Sequence, residues 1–329
     1  MKKKALITGG GGYVGSQICK DLHDAGLQPF VFDNFSRGHI ESVRWGEFYQ
    51  GDLRDIQSIR QCFDEFYPDV VVHCAGLAYV GESVQMPLPY FETNVGGSAN
   101  LLRVMAERGV NKIVFSSTCS IYGNDGGAQL SEENIPAPTN PYAFSKLAVE
   151  NLLESLGKVA ALEFVALRFF NVAGADYEGL GEIHDPETHL LPLLVRAAMD
   201  RKSFSVFGDD YVTPDGSCIR DYIHVKDISS AHLAAIKYLG DGQPSRAFNL
   251  GTGNGYSVFE MIAAVEKVTG ETINYKVCER RDGDPAQLVA DPSLARDKLG
   301  WQAAHSELIQ LVESAVWWHL NGCRGSERA

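Results

Sequence analysis

The chain has 329 residues, of which 45% are apolar and 22% charged, and its 29 Lys and Arg against 42 Asp and Glu leave a formal charge of −13. This length suffices for about two domains, or one large α/β core with an appendage, and the composition is that of a globular protein rather than a disordered or fibrous one. The acidic balance argues against nucleic acid and anionic membrane surfaces as partners, since both reward an excess of Lys and Arg.

The opening Met1-Lys2-Lys3-Lys4-Ala5-Leu6-Ile7-Thr8 starts basic, but glycines cut its apolar run at Thr8, too early for a signal peptide. No stretch reaches the roughly 18 uninterrupted apolar residues of a membrane helix. The cysteines (Cys19, Cys62, Cys74, Cys119, Cys218, Cys278 and Cys323) include no CxxC and no zinc-type His/Cys spacing. They read as reduced thiols with no metal, which predicts a cytoplasmic setting.

Ala5-Leu6-Ile7-Thr8 is a strand-like run that stops at Gly9-Gly10-Gly11-Gly12-Tyr13-Val14-Gly15, and residues 16–22 then take helical spacing. Gly9, Gly12 and Gly15 lack side chains where a dinucleotide site needs a tight turn, close approach to a pyrophosphate, and helix–strand contact. The helix N-terminus then faces the phosphates. A second buried-strand run, Pro29-Phe30-Val31-Phe32, ends on Asp33. A carboxylate there accepts hydrogen bonds from the adenosine ribose and repels a 2′-phosphate, so NAD is favoured over NADP.

Strand runs recur at Val70-Val71-Val72-His73-Cys74 and Lys112-Ile113-Val114-Phe115-Ser116, with helical stretches over 56–66 and 87–108 between them. The alternation predicts an α/β fold, a doubly wound (Rossmann) parallel sheet with ligands at the carboxyl ends of its strands. Asp52, Ala75, Gly76 and Asn94 fall near such ends or on adjacent helices. The run 115–123 leaves its strand in hydroxyls, and Pro141-Tyr142-Ala143-Phe144-Ser145-Lys146 opens a helix that sets Tyr142 and Lys146 one turn apart. A fixed ammonium lowers the pKa of a phenol, so Tyr142 reads as a general base with Lys146 as its activator.

Gly9-x-x-Gly12-x-x-Gly15, Asp33, Asp52, Asn94, Ser117-Thr118, Tyr142-x-x-x-Lys146 and Arg168-Phe169-Phe170-Asn171 occur in this order. Together they resemble the extended short-chain dehydrogenase/reductase family, and within it the UDP-glucose 4-epimerases and the UDP-pentose 4-epimerases. The resemblance implies NAD as cofactor, held by Gly9, Gly12, Tyr13, Val14, Gly15, Asp33, Asn34, Asp52, Leu53, Cys74, Ala75, Gly76, Asn94, Ser116, Tyr142, Lys146 and Phe169. It implies Tyr142, Lys146 and Thr118 as the catalytic set. It also implies a UDP-sugar substrate bound by Thr118, Asn171, His189, Leu190, Phe207, Arg220, Arg281, Asp284 and Leu288. In this scheme Asn171 and the two arginines take the diphosphate, Phe207 lies beside the uracil, and Asp284 lies near the ribose.

The regular alternation ends after Asn171, where Pro, Gly, Asp and His crowd residues 174–192. This predicts an NAD-binding Rossmann domain over 1–171, rejoined by 222–253, and a smaller mixed α/β UDP-sugar-binding domain over 172–329. Short strands are expected at 205–208, 220–225 and 273–277, with helices at 190–195, from 227, at 257–269, and closing near Trp317-Trp318.

The expected activity is 4-epimerisation of a UDP-sugar through a transient 4-keto intermediate, with UDP-glucose and UDP-galactose favoured. UDP-xylose/UDP-arabinose or UDP-N-acetylhexosamine 4-epimerisation is the alternative, because Leu288 stands where some members carry a large Tyr. A 4,6-dehydratase is disfavoured because Cys119-Ser120 follow Thr118 where dehydratases carry an acidic pair, and a non-catalytic NAD-binding scaffold would not retain Tyr142, Lys146 and Thr118. The resemblance further implies a homodimer formed through helices at 87–108 and 141–156. Leu101, Leu102, Leu152 and Leu153 lie on that face or on the monomer core.

Overall fold

The computed structural model describes residues 2–123, 129–281 and 284–322. Cys323 lies outside them. Six parallel strands are laid down first: β1 (Lys4–Thr8), β2 (Gln28–Asp33), β3 (Glu47–Gln50), β4 (Val70–His73), β5 (Lys112–Thr118) and β6 (Glu163–Phe169). Between them run α1 (Tyr13–Asp24), α2 (Ile56–Phe66), α3 (Val80–Gln85), α4 (Pro87–Tyr90), α5 (Gly97–Glu107) and α6 (Pro141–Val159). After β6 the chain continues through β7 (Asn171–Ala173), α7 (Leu190–Met199), β8 (Phe204–Phe207), β9 (Ile219–Arg220), β10 (Tyr222–His224) and α8 (Val225–Gly240). It then forms β11 (Arg246–Leu250), β12 (Tyr256–Ser257), α9 (Val258–Thr269), β13 (Tyr275–Cys278), β14 (Gln287–Leu288) and α10 (Leu308–Asn321).

The central sheet has seven strands in the order β11-β6-β5-β4-β1-β2-β3, and every neighbouring pair in it is parallel. Strand order reverses between β1 and β4, the place where such sheets open a crevice for ligand. Its strands are apolar on both faces because helices cover both. Leu6, Phe30, Phe32, Val71, Ile113 and Phe115 pack against α2, α5 and α6, whereas Ala5, Ile7, Val31, Val72, Val114 and Leu167 pack against α1 and α8. β3, β6 and β11 are strands of this sheet that the sequence reading did not assign, and for β3 the reason is plain: Glu47, Phe48 and Gln50 are exposed at the sheet edge, so no apolar run announces it.

The single helix expected over 87–108 is instead α4, a π-helical turn at Phe91–Gly96, and α5. That turn carries Asn94 inward, where its side chain bonds both Leu77 N (2.8 Å) and Leu77 O (3.0 Å). Leu101, Leu102 and Leu153 lie in the monomer core, and Leu152 packs against it. The large apolar side chains that α4, α6 and the π turn expose are Leu88, Phe91, Phe144 and, at the end of α6, Val159.

Residues after β7 build a second body around Leu191, Leu194, Val195, Val206, Met261, Val265, Leu311 and Val312. Its strands form three small sheets, β10-β7, β12-β9-β14 and β13-β8. The strand expected at 220–225 is split at Asp221, which places β9 in one small sheet and β10 in another. The Asp221 carboxylate is buried and accepts from Thr252 N (2.9 Å), Thr252 Oγ1 (2.7 Å), Gly253 N (3.0 Å) and Ala290 N (3.2 Å).

Candidate active site

The glycine turn between β1 and α1 is fixed by close approach. At Gly9 (φ +75°) a Cβ would stand 2.6 Å from Ala75 N, and at Gly15 it would stand 2.2 Å from Gly9 O. Gly12 caps α1 without a side chain, which leaves the first amides of the helix turned outward with the positive end of its dipole. Beside this turn, Asp33 Oδ2 accepts from Gly11 N (2.9 Å) and Oδ1 from Phe35 N (2.8 Å). Burial pushes the Asp33 carboxyl upward while these amides oppose the shift.

A cleft of about 1030 Å³ opens over the turn, lined by Gly9, Gly12, Tyr13, Asp33, Asn34, Asp52, Leu53, Cys74, Ala75 and Gly76. All ten are residues expected to hold the dinucleotide. Asp52 is set by Asn34 Nδ2 (2.9 Å) and Arg54 Nη2 (2.7 Å), and Arg54 holds its carboxyl well below the usual carboxylate range. Donors turned to a phosphate, a space that any Cβ would fill, and a carboxylate at the end of β2 suit NAD and oppose a 2′-phosphate. Tyr79, Arg37 and His184 line the same cleft and were not foreseen. Arg37 stacks on the Tyr79 ring at 5.1 Å, a pairing that no local spacing announces.

Asn94 and Lys146 stand beside Gly76 of this cleft. A Cβ on Gly76 would be 2.9 Å from Asn94 Oδ1 and 3.7 Å from Lys146 Nζ. Asn140 caps α6 by accepting from Ala143 N (2.9 Å), and Pro141 follows it, so Tyr142, Ser145, Lys146, Val149 and Glu150 share the buried face. Asn94 Nδ2 donates to Ser145 Oγ (2.9 Å), which ties the π turn to α6.

Lys146 Nζ donates to Ser116 O (2.9 Å) and lies over the Phe115 ring at 4.9 Å. Burial lowers its pKa to about 8, with Cys74 and Glu150 opposing. Burial pushes Tyr142 up to about 12, and the group pulling it down is the Thr118 hydroxyl, its hydrogen-bond partner. Thr118 Oγ1 also accepts from Ser120 N (3.1 Å).

Of the paired hydroxyls at the β5 exit, Thr118 meets the site and Ser117 does not. Ser117 donates to Glu150, which also takes Arg168 Nη2 at 2.6 Å. Arg168 Nη1 donates to Tyr122 OH (2.9 Å), and that hydroxyl donates to Asn249 Oδ1 (2.7 Å). Glu150 and Arg168 are both buried, so this network joins β5, α6, β6 and β11 with its charges paired. Ser116 Oγ meets Cys74 Sγ (3.2 Å) and His232 Nε2 (3.0 Å) instead of the cleft. Gly15, Val14 and Phe169 support the floor, Gly15 buried and the other two packed on the core.

The residues expected to hold substrate fall into two groups. Arg281 stacks on Phe207 at 4.0 Å, and Arg220 binds Ile219 O (2.8 Å), Pro285 O (2.9 Å) and Asp284 Oδ1 (3.4 Å). Leu288 pairs with Arg220 across β14 and β9 and packs against the cluster of Cys119, Tyr122, Leu130 and Phe170. Asn171 stands at the start of β7, opposite Tyr222. His189 and Leu190 open α7, but the His189 ring turns to Glu182 and Glu187 at 2.6 and 3.0 Å. Burial would lower its pKa, and these two carboxylates more than offset that and raise it.

Residues 5–251 match the NAD dependent epimerase/dehydratase family. The chain is 45% identical over 316 residues to a UDP-glucose 4-epimerase of Rhizobium leguminosarum bv. trifolii, covering 95% of this chain and 96% of that protein. It superposes with TM-score 0.93 on the UDP-glucose 4-epimerase from Brucella ovis in complex with NAD, at 42% identity, covering 95% and 97% of the two chains. The TM-score is 0.95 with the UDP-glucose 4-epimerase from Stenotrophomonas maltophila with bound NAD and formylated UDP-arabinopyranose, at 38% identity and 98% and 99% coverage.

Proposed function

The chain belongs to the NAD dependent epimerase/dehydratase family, and on that premise we propose that it is an NAD-dependent 4-epimerase of a UDP-sugar, with UDP-glucose and UDP-galactose as its substrate pair. What supports this most is Tyr142 on the buried face of α6 with the Thr118 hydroxyl as its hydrogen-bond partner, and Lys146 one turn on, beside Gly76 of the glycine-walled cleft. The named relatives and their NAD and UDP-sugar complexes support it.

NAD, when bound, supplies the hydride acceptor that takes C4 of the sugar to a ketone and returns it on the other face. Tyr142 takes the 4-hydroxyl proton as C4 is oxidised and gives it back as C4 is reduced. Thr118 holds the same oxygen. Burial keeps the Tyr142 phenol protonated in the protein alone, so positive charge must be brought to it. Lys146, fixed on the Ser116 carbonyl, is the protein's share of that charge, and the cofactor's cation is the rest. Cys119 and Ser120 follow Thr118, so no carboxylate is placed there for the elimination a dehydratase performs.

Asn171, Arg220 and Arg281 would take the diphosphate, Phe207 the uracil, Asp284 the ribose, and His189 and Leu190 the start of α7 beside it. Planar guanidinium groups suit bidentate contact with phosphate oxygens, and Arg281 is exposed for that contact. Leu288 would border the sugar. We propose the same division as the sequence suggests, 1–171 with 222–253 on the cofactor side and the rest on the sugar side. Exposed Leu88, Phe91 and Phe144 support a homodimer through α4 to α6, to be checked by mass in solution. Six thiols among the described residues are unpaired, which supports a reducing cytoplasm. No described helix is long and apolar enough to cross a membrane.

Incubation of the purified protein with UDP-galactose should yield UDP-glucose with no net change in NADH absorbance. Failure to form it, with NAD bound, would remove this assignment. A competition of UDP-glucose, UDP-xylose and UDP-N-acetylglucosamine for one sample then fixes the sugar.

A further inference from the structure

Residues 182–189 read Glu-Ile-His-Asp-Pro-Glu-Thr-His, a Glu-x-His unit repeated after two residues, ahead of α7. From the way this segment folds, we infer that Glu182, His184, Glu187 and His189 form a site for one divalent first-row metal ion of the zinc class.

One ligand atom from each of the four lies within 4.8 Å of all the others. His184 Nδ1 is 2.9 Å from Glu182 Oε1 and 4.0 Å from Glu187 Oε1, and His189 Nδ1 is 2.6 and 3.0 Å from the same two oxygens. Four ligands at zinc bond lengths of about 2.0–2.2 Å stand roughly 3.3–3.5 Å apart at the corners of a tetrahedron. The spread of distances brackets that edge, so rotation of the side chains suffices to close it.

Burial makes the case beyond proximity. The Glu187 side chain is 1% exposed and that of Glu182 6% exposed. Glu187 Oε1 is used by Thr188 N (2.8 Å) and His189 N (2.9 Å), but Oε2 is buried with no partner. Two His–Glu ion pairs account for the four side chains yet leave that oxygen orphaned, a state that burial makes costly. Arg37 beside this turn is engaged by Glu82, by the Asp185 carbonyl and by the Tyr79 ring. The Tyr79 ring faces both imidazoles, at 5.6 Å from His184 and 6.4 Å from His189, and brings no charge to the cluster.

Imidazole nitrogen with carboxylate oxygen selects zinc-class ions over magnesium and calcium, which prefer oxygen alone. Four protein ligands close the coordination, which makes the ion a structural one. It would clamp a turn that lines the cofactor cleft through His184 and ends on the N-cap of α7, with Trp318 Nε1 holding the Glu182 carbonyl at 2.9 Å.

The test is Zn²⁺ titration of the chelator-stripped, NAD-containing full chain, with metal counted by elemental analysis and Co²⁺ as a spectroscopic stand-in. One saturable equivalent per chain is expected, with the visible absorption of tetrahedral Co²⁺. Glu187→Gln, which keeps the side chain's volume, and His184→Ala should each weaken Zn²⁺ binding by at least about 100-fold, with circular dichroism and the thermal unfolding midpoint as folding controls. The site is overturned by absence of a stoichiometric site in the wild-type protein. It is equally overturned by undiminished binding in both folded variants, or by preference for Mg²⁺.

Discussion

The two sides of the cleft are made differently. The cofactor side is made of backbone: glycines pressed to within 2.2–2.6 Å of what a Cβ would meet, and open amides at the start of α1. The side proposed for the sugar is made of side chains on strands of two to four residues and the segments between them, with Arg220 on two carbonyls and a carboxylate and Arg281 on an aromatic ring. A backbone-built surface fits one shape of ligand. A side-chain-built surface can be altered one residue at a time, so the first should fix the chemistry and the second the choice of sugar.

The most severe break should come where the two sides meet. Tyr142→Phe is expected to lower kcat by at least about 10³-fold with NAD content unchanged, and turnover within tenfold of wild type would remove Tyr142 from proton transfer. Next, Arg168→Met strands the buried Glu150 beneath the site and should destabilise the fold by about 3–5 kcal/mol in denaturant titration. A double replacement of Glu150 and Arg168 by apolar residues should recover much of that loss. Gly15→Ala tests the backbone claim more locally. Its methyl cannot fit without moving Gly9, so about 1–3 kcal/mol of stability and most bound NAD should be lost.

On the sugar side, Leu288→Tyr should leave NAD content and UDP-glucose turnover nearly intact. It should change the ratio of N-acetylated to plain hexose kcat/KM by about tenfold, within the 10–200-fold that small changes in pocket size command. An unchanged ratio would show that Leu288 does not border the sugar. The gentlest probe is pH. In the NAD-free protein the tyrosinate absorbance missing from Tyr142→Phe should emerge near pH 12, and bound NAD should bring it lower. The base is active when deprotonated, so kcat should fall as pH drops through that lower value.

What the sequence disclosed follows the same divide. Glycine spacing, the Asp33 strand end and the Asn140-Pro141 helix start are local signals, and each is where local chemistry puts it. Ser117 and Thr118 are indistinguishable as letters, since only strand alternation sends one into the Glu150 network and the other toward Tyr142. The engagement of Lys146 by the Ser116 carbonyl and the burial of Tyr142 are likewise invisible to a four-residue spacing. Leu101 and Leu153 carry the same ambiguity between interface and core, resolved only by packing. The grouping of Glu182, His184, Glu187 and His189 is not legible in cysteine spacing, because its members are His and Glu.

The return of the chain to the first sheet constrains protein engineering. β11 closes the sheet beside β6, and α8 covers it beside α1, although both are encoded after Arg220. A chimera that exchanges sugar preference between relatives therefore cannot be made with one splice after Asn171. It needs two separate inserts, 172–221 and 254–329, around a retained 222–253. The Asp221 carboxylate, which fastens residues 252, 253 and 290 to the break between β9 and β10, sets where those seams can close.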